Sequence, residues 1–286
     1  MNILVTGGEG QLGKSIRANL PADCHNRYIF AGSTVLDITD LDSIGQFLDR
    51  EDIGVVVNCA AYTAVDKAED EPEKAEMING RAVGFLAEAI KKRNGFLIHL
   101  STDYVYGGDS SCSVPVKEEV APNPVSVYGR TKLDGEKKVE KSGVDAIVLR
   151  TAWLYSEYGK NFMKTMLNLL AEKEEIKVVN DQRGTPTYAG NLAKAIISII
   201  ETDRLRGYEG TYNFTDEGEA TWFDFAKAIS RHSGKTGCRI LPCRTDEYPA
   251  KAVRPAYSVL DKSKFKNRFS IEIPEWEDSL KSILKK

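Results

Sequence analysis

Tyr128-Gly129-Arg130-Thr131-Lys132 sets a phenol and an ammonium four positions apart. On a helix that spacing puts both groups on one face. A phenol ordinarily titrates near ~10, and a neighbouring cation favours its ionised form. Such a pair can exchange a proton with a carbonyl or an alcohol near neutral pH. The motif alone reads better as an exposed tyrosine and lysine on a helix, so its weight comes from what surrounds it. Thr102, in Leu100-Ser101-Thr102-Asp103-Tyr104, sits at the C-terminal end of a predicted strand. Ligands of open parallel sheets bind beyond such ends, where the Thr102 hydroxyl could hydrogen-bond a carbonyl.

A third feature precedes both. Thr6-Gly7-Gly8-Glu9-Gly10-Gln11-Leu12-Gly13 follows the first apolar run and opens a helix-like segment. Gly7, Gly10 and Gly13 are spaced GxxGxxG, and Gly8, Gly10 and Gly13 satisfy GxGxxG. Glycines permit a tight turn and close approach of the backbone to a pyrophosphate, which the helix N-terminus then attracts. Read as a plain turn the pattern is weak. Its strand–turn–helix setting points to a dinucleotide. The second strand ends Ala31-Gly32-Ser33-Thr34 without the acid expected for ribose hydroxyls; Asp37 comes later, and Arg17 on the first helix could reach a 2′-phosphate. NADH and NADPH both remain open.

These groups need elements to hold them. Strands are expected at Ile3–Thr6, Tyr28–Ala31, Val55–Asn58, Phe96–Leu100 and Ala146–Arg150. Helices are expected at Gln11–Leu20, Leu41–Arg50, Glu73–Lys92 and Val127–Lys141, the third with apolar positions close to a 3.6 period. Strands alternating with helices imply a doubly wound parallel sheet of Rossmann type, with helices on both faces. Gly107–Pro124 reads as a long loop. Beyond Thr151 helices fit Phe162–Glu172, Ala189–Glu201, Trp222–Ser233 and Trp276–Leu284. The expectation is a dinucleotide-binding domain over 1–150 and a smaller mixed, mainly substrate-binding domain over 151–286, with some segments returning to the first.

Composition excludes several classes. Of 286 residues 42% are hydrophobic and 28% charged, and the net charge is −3, which fits a globular protein. No basic stripe suggests nucleic acid, and no apolar run is long enough to span a bilayer. No leader sequence is evident at the N-terminus. Cys24, Cys59, Cys112, Cys238 and Cys243 form no CxxC and read as reduced thiols in a cytoplasmic protein. The three histidines are dispersed, so no metal site is expected.

The chain resembles the extended short-chain dehydrogenases/reductases, and within them the dTDP-4-dehydrorhamnose reductase family. The resemblance rests on Gly7–Gly13, Asn58–Glu69 with its AVDKAE run, Ser101–Tyr106, Tyr128–Lys132, Arg150–Tyr155, Asn180–Thr187 with its NDQ-x-G-x-PT run, and Arg254-Pro255. It implies NAD(P)H-dependent reduction of a 4-keto group on a dTDP-linked 6-deoxysugar, giving dTDP-L-rhamnose. By the same resemblance Thr102, Tyr128 and Lys132 form the catalytic set, threonine replacing the commoner serine. Gly7, Gly10, Gln11, Leu12 and Gly13 hold the cofactor's diphosphate, with Asp37 and Ile38 bordering adenine. Ala60, Ala61, Tyr62 and Leu100 line the cofactor, Tyr62 standing where the family often has histidine. Asp103, Trp153 and Arg254 face the substrate, with Asp181 and Gln182 as further candidates on that side. On residues alone Trp153 could be a core aromatic, Asp66 a helix cap and Arg254 a surface cation. Some relatives dimerise around magnesium; no ligand spacing here demands the ion, and a homodimer stays open. The alternatives are an epimerase or dehydratase of the same fold, or a non-catalytic cofactor-binding regulatory subunit. Tyr104 replaces the usual dehydratase glutamate, and the intact catalytic set argues against a dead site.

Overall fold

Val55, Val56 and Val57 are each at most 2% exposed, because the strand that carries them is covered on both faces. In the computed structural model, which describes residues 1–107 and 113–285, that strand belongs to a six-stranded sheet. Its first half runs β1 (Asn2–Thr6), α1 (Gln11–Asn19), β2 (Arg27–Ala31), α2 (Leu41–Arg50) and β3 (Ile53–Asn58). Then come α3 (Val65–Ala68), α4 (Pro72–Glu76), a π-helical turn at Met77–Arg81, α5 (Ala82–Lys91), β4 (Phe96–Thr102), α6 (Val127–Ser142) and β5 (Asp145–Thr151).

The second half contains β6 (Leu154–Tyr155), α7 (Phe162–Glu172), β7 (Glu175–Val179), β8 (Arg183–Gly184), β9 (Thr187–Tyr188) and α8 (Ala189–Glu201). It closes with β10 (Gly210–Asn213), β11 (Ala220–Thr221), α9 (Trp222–Ser233), β12 (Arg239–Cys243), α10 (Ser263–Phe269) and α11 (Trp276–Leu284). The main sheet has the order β10-β5-β4-β3-β1-β2, and all its pairs are parallel. The strand order therefore reverses between β1 and β3. Beyond the carboxyl ends at such a point an open α/β sheet leaves a crevice for ligands.

One face of the sheet packs Ile3, Val5, Val57 and Ile98 against α1, α8 and α10. The other packs Leu4, Val56 and Leu97 against α2 and α5. A separate cluster of Tyr155, Met166, Val178, Phe225 and Leu280 joins α7, α9 and α11. So β10 and α8, from the second half of the sequence, lie with the main sheet, while α7, α9, β7 and β12 build a body beside its carboxyl ends. Among the described residues no helix is long and apolar enough to cross a membrane. Cys24, Cys59, Cys238 and Cys243 are free thiols. Residues 108–112 of the Gly107–Pro124 loop, Cys112 among them, lie outside the described residues; the rest is anchored where Val116 bridges to Leu260.

The single helix expected over 73–92 is helical from Pro72 to Lys91 but not regular. The turn Met77–Arg81 is π-helical and Asn79 within it is fully buried. Hydrophobic period cannot report this, since the widened turn turns a polar side chain inward. Helix α6 presses on it there: a Cβ at Gly135 would lie 2.3 Å from the Asn79 carbonyl oxygen. Gly135→Ala is therefore expected to lower stability by about 2 kcal/mol, the usual range for overpacking against backbone. Denaturant unfolding checks this; an unchanged midpoint would mean that α6 can back away from the π turn.

Candidate functional site

The crevice begins at the glycine turn. Gly7 has φ +61°, and a Cβ there would lie 2.7 Å from the Ala60 backbone nitrogen. A Cβ on Gly13 would lie 2.5 Å from the Gly7 oxygen. These two glycines bring β1, the residues after β3 and the start of α1 together. The N-cap of α1 is Gly10, and no side chain occupies the first N–H groups of the helix. That cradle fits a dinucleotide diphosphate. The Gln11 side chain points elsewhere: its Oε1 accepts from Ser156 Oγ at 3.1 Å and Asn161 Nδ2 at 2.9 Å, tying α1 to the second half of the chain.

Lys14 and Arg17 on α1 both reach Glu9, at 3.4 and 3.2 Å, and the Arg17 guanidinium stands 4.6 Å over the ring of Phe30 near the end of β2. Two cations thus flank the edge where a ribose is received. Asp37 is exposed and accepts from the backbone and hydroxyl of Thr39, while Ile38 is buried. After β3, Asn79 brackets Tyr62, accepting from its N–H at 2.8 Å and donating to its carbonyl at 3.0 Å. Its Nδ2 also lies 3.2 Å from Thr131 Oγ1 on α6. The phenol of Tyr62 donates to Glu71 at 2.7 Å. A polar chain crosses the sheet beneath this region, from Thr6 to Asn58 at 2.7 Å and on to His99 at 3.1 Å.

Helix α6 delivers Tyr128 and Lys132 to the same place. Ser126 caps it, accepting from the Gly129 N–H at 3.1 Å, and Glu69 accepts from the Val127 N–H at 2.8 Å. Gly129 is needed because a Cβ there would lie 2.3 Å from the Tyr104 carbonyl oxygen. Tyr104 and Tyr128 meet edge to face with centroids 5.4 Å apart. Lys132 is 2% exposed, and its Nζ donates to the Leu100 carbonyl at 2.5 Å.

Burial governs the electrostatics. The Tyr128 phenol is pushed up to about 12 by desolvation, with the Thr102 hydroxyl acting against it. The lowering expected from Lys132 is therefore not what this structure shows: the ammonium is turned to Leu100, and desolvation prevails. Lys132 is pushed down to about 8 by burial, opposed by Glu136. Asp103 is 2% exposed and is pushed up to about 6 by burial, with Ser258 and Thr102 pulling the other way. Its Oδ1 accepts from Thr102 Oγ1 at 3.0 Å, and its buried Oδ2 makes no hydrogen bond of regular geometry.

On the far side of the site Trp153 has φ +47°, a conformation a bulky residue holds only under constraint. It is half-buried and stacks on Trp222 with centroids 3.5 Å apart, and a Cβ on Gly184 would lie 2.6 Å from its ring. Trp222 Nε1 donates to Gln182 at 3.1 Å, Gln182 donates to Thr245 at 3.1 Å, and Asp181 also binds Thr245. Tyr104, Phe162, Met166, Gln182, Trp222 and Arg254 are among the residues lining a cleft of about 820 Å³, a size suited to a ligand of several rings. Arg254 is no free surface cation. It pairs with Asp66 at 2.7 Å, and Asp66, which caps no helix, also accepts from the Ala252 N–H at 3.1 Å.

Thr102, Asp103, Tyr128, Lys132 and Leu100 thus converge at the end of β4, with the glycine turn and Ala60–Tyr62 on one side and Trp153 and Arg254 on the other. Sequence reading missed Asn79, Glu69 and Glu136. The AVDKAE run contained the only signal for Glu69, and nothing in the periodicity announced the other two.

Asp103 gives a test of the burial argument. Its pKa is raised, so its ionisation opposes folding, and the opposition grows as pH rises from about 4 to about 6 and then levels. Asp103→Asn, which keeps the shape without the charge, is expected to raise the thermal midpoint more at pH 8 than at pH 5. A gain that does not grow with pH would show that Asp103 is solvated.

A family model described as the RmlD substrate binding domain matches residues 1–286. The dTDP-4-dehydrorhamnose reductase of Burkholderia thailandensis is 38% identical over 288 residues, covering 96% of this chain and 95% of that one. A crystal structure of a dTDP-4-dehydrorhamnose reductase from Clostridium acetobutylicum superposes with a TM-score of 0.93 at 38% identity, covering 100% of this chain and 99% of that one. One from Bacillus anthracis, in complex with NADP, gives 0.92 at 34% identity, covering 99% and 98%. With its glycine turn, its Tyr128–Lys132 helix face and these full-length likenesses, the chain belongs to the RmlD family, that of the dTDP-4-dehydrorhamnose reductases.

Proposed function

We propose that this protein reduces the 4-keto group of dTDP-4-dehydro-L-rhamnose to give dTDP-L-rhamnose, with NADPH or NADH as reductant. The observation that carries the reading is the meeting of Thr102, Tyr128 and Lys132 at the end of β4, beside the glycine cradle. Bound there, the reduced nicotinamide supplies hydride to the ketone carbon. Gly7, Gly10, Gln11, Leu12 and Gly13 would hold its diphosphate, Asp37 and Ile38 the adenine edge, and Ala60, Ala61, Tyr62 and Leu100 the nicotinamide half. Lys14 and Arg17 support acceptance of a 2′-phosphate.

Charge develops on the ketone oxygen as the carbon is reduced. Tyr128 donates its proton to that oxygen. A phenol pushed up to about 12 is fully protonated at neutral pH and so is available as an acid. Thr102, whose hydroxyl donates to Asp103 Oδ1 in this structure, would turn that hydroxyl to the same oxygen once the ketone is in place. Lys132, at about 8, is mostly charged at pH 7 and would hold ribose hydroxyls with its remaining N–H groups. Asp103 and Trp153 would position the sugar. Arg254 would meet the diphosphate, drawing on Asp66 to do so. Binding energy spent on the nucleotide thereby orients the ketone.

Oxidation of NADPH or NADH with the keto-sugar nucleotide is the direct assay. Tyr128→Phe is expected to lose about 10²–10⁴-fold in kcat, the usual worth of a positioned acid, while still binding cofactor. Near-normal reduction by that variant would remove Tyr128 as proton donor. Thr102→Val is expected to slow turnover by about tenfold or more; wild-type kinetics would leave Thr102 a structural role. Tightly retained oxidised cofactor with no net reduction would overturn the reading in favour of an epimerase.

A further inference from the structure

One turn beyond Lys132 on the same face of α6, Glu136 is buried against β4 and β5. Its Oε1 receives the Arg150 Nε at 3.0 Å and the Ser101 hydroxyl, and its Oε2 receives Arg150 Nη2 at 2.6 Å. Arg150 Nη1 also meets the Tyr106 hydroxyl at 2.6 Å. Glu136 is 8% exposed and Arg150 5%. An ion pair so far from water is a poor way to stabilise a fold, because desolvation offsets the attraction and an apolar pair of the same volume would serve as well. Its position suggests another use.

The groups around Lys132 sort by charge. On β4, His99 is held well below its ordinary range by burial and is neutral. Past β3, the Cys59 thiol is pushed up to about 12 and is also neutral. Asp103, ionised above about 6, accepts from Thr102 at the strand end, Tyr128 is a protonated phenol, and Arg150 faces Glu136 from β5; neither Asp103 nor Arg150 is among the foremost influences on Lys132, which are burial and Glu136. The carboxylate within one helical turn of the ammonium is that of Glu136.

We propose that Glu136, clamped by Arg150 and Ser101, is a positioning residue that keeps the buried Lys132 ammonium charged and directed at the Leu100 carbonyl, one turn from Tyr128. The inference rests on the reductase reading. Burial drives Lys132 toward neutrality, and Glu136 is the foremost opposing influence. Activity that needs a charged Lys132 falls as pH rises through about 8. Without the Glu136 charge that fall begins at lower pH.

The test is the pH profile of kcat/KM for keto-sugar reduction. Glu136→Gln is expected to move the alkaline limb about one unit toward acid, an about tenfold deficit at pH 8 relative to pH 6. Glu136→Asp, which keeps the charge, is expected to leave the limb in place. Because E136Q strands a buried guanidinium and can fail to fold, the double variant E136Q/R150M removes both charges together and is expected to move the limb the same way. A profile lowered at every pH with its limb unmoved, in E136Q or in the double variant, would overturn the role of Glu136 alone. Absence of reduction by the wild-type protein at every pH would instead overturn the reductase reading.

Discussion

Helix α6 lies closer to its neighbours than side chains allow. At Gly129 it meets the carbonyl that follows the Thr102 strand end, and at Gly135 the carbonyl inside the π turn, each within 2.3 Å of where a Cβ would be. These contacts fix both the height and the rotation of the helix. With rotation fixed, Tyr128, Lys132 and Glu136 form one inward row, and Thr131 lies within reach of Asn79. The same Asn79 holds both backbone groups of Tyr62, so the loop that borders the crevice is set by the helix that carries the acid. Glu69 closes the circuit at the N-terminus of α6. Movement of the helix by one ångström would therefore disturb the crevice and the reacting groups together, which is the condition for a geometry worth several powers of ten in rate.

Desolvation then gives the site its chemical character. It raises the phenol, raises the Asp103 carboxyl and lowers the lysine, moving each group toward its neutral form. A neutral phenol is the right state for giving up a proton to a developing alkoxide. A neutral lysine would be the wrong state for attracting hydroxyls and a diphosphate-bearing ligand. One uniform influence thus helps one member of the pair and harms the other, so a compensating charge is needed beside the lysine and away from the tyrosine. Glu136 lies a turn beyond Lys132, on the side opposite Tyr128.

Much of this was legible in the residues. The helices at Leu41–Arg50, Phe162–Glu172, Ala189–Glu201, Trp222–Ser233 and Trp276–Leu284 agree to the residue, because each carries a clear apolar stripe bounded by caps and turns. The glycine turn and the starts of β4 and α6 were likewise readable, since turn and helix chemistry are local, whereas β4 runs on to Thr102, two residues past the expected end at Leu100, and α6 to Ser142, one past Lys141. What was not readable depends on distant partners. Strands of two residues, such as β8 and β11, have no period to detect. The π turn follows from what Asn79 binds 17 and 52 positions away. Asp66 resembled a helix cap because sequence shows a carboxylate near a helix start and cannot show Arg254 188 positions later.

That last pair also bears on how substrate is received. Asp66 is held below the usual carboxylate range by Arg254, so it stays ionised across neutral pH. Lys251 is paired with Asp70 one turn away, at 2.6 Å. Two carboxylates from the AVDKAED run therefore hold the segment around Ala252 against the mouth of the cleft. A diphosphate entering the cleft would compete with a carboxylate for Arg254 rather than meet a bare cation. The net gain is the difference between two charge-assisted pairs, smaller than either alone. The arrangement exchanges affinity for a guanidinium that is charged, half-buried and already oriented before the ligand arrives, which is the form in which binding energy is most readily turned to positioning the ketone.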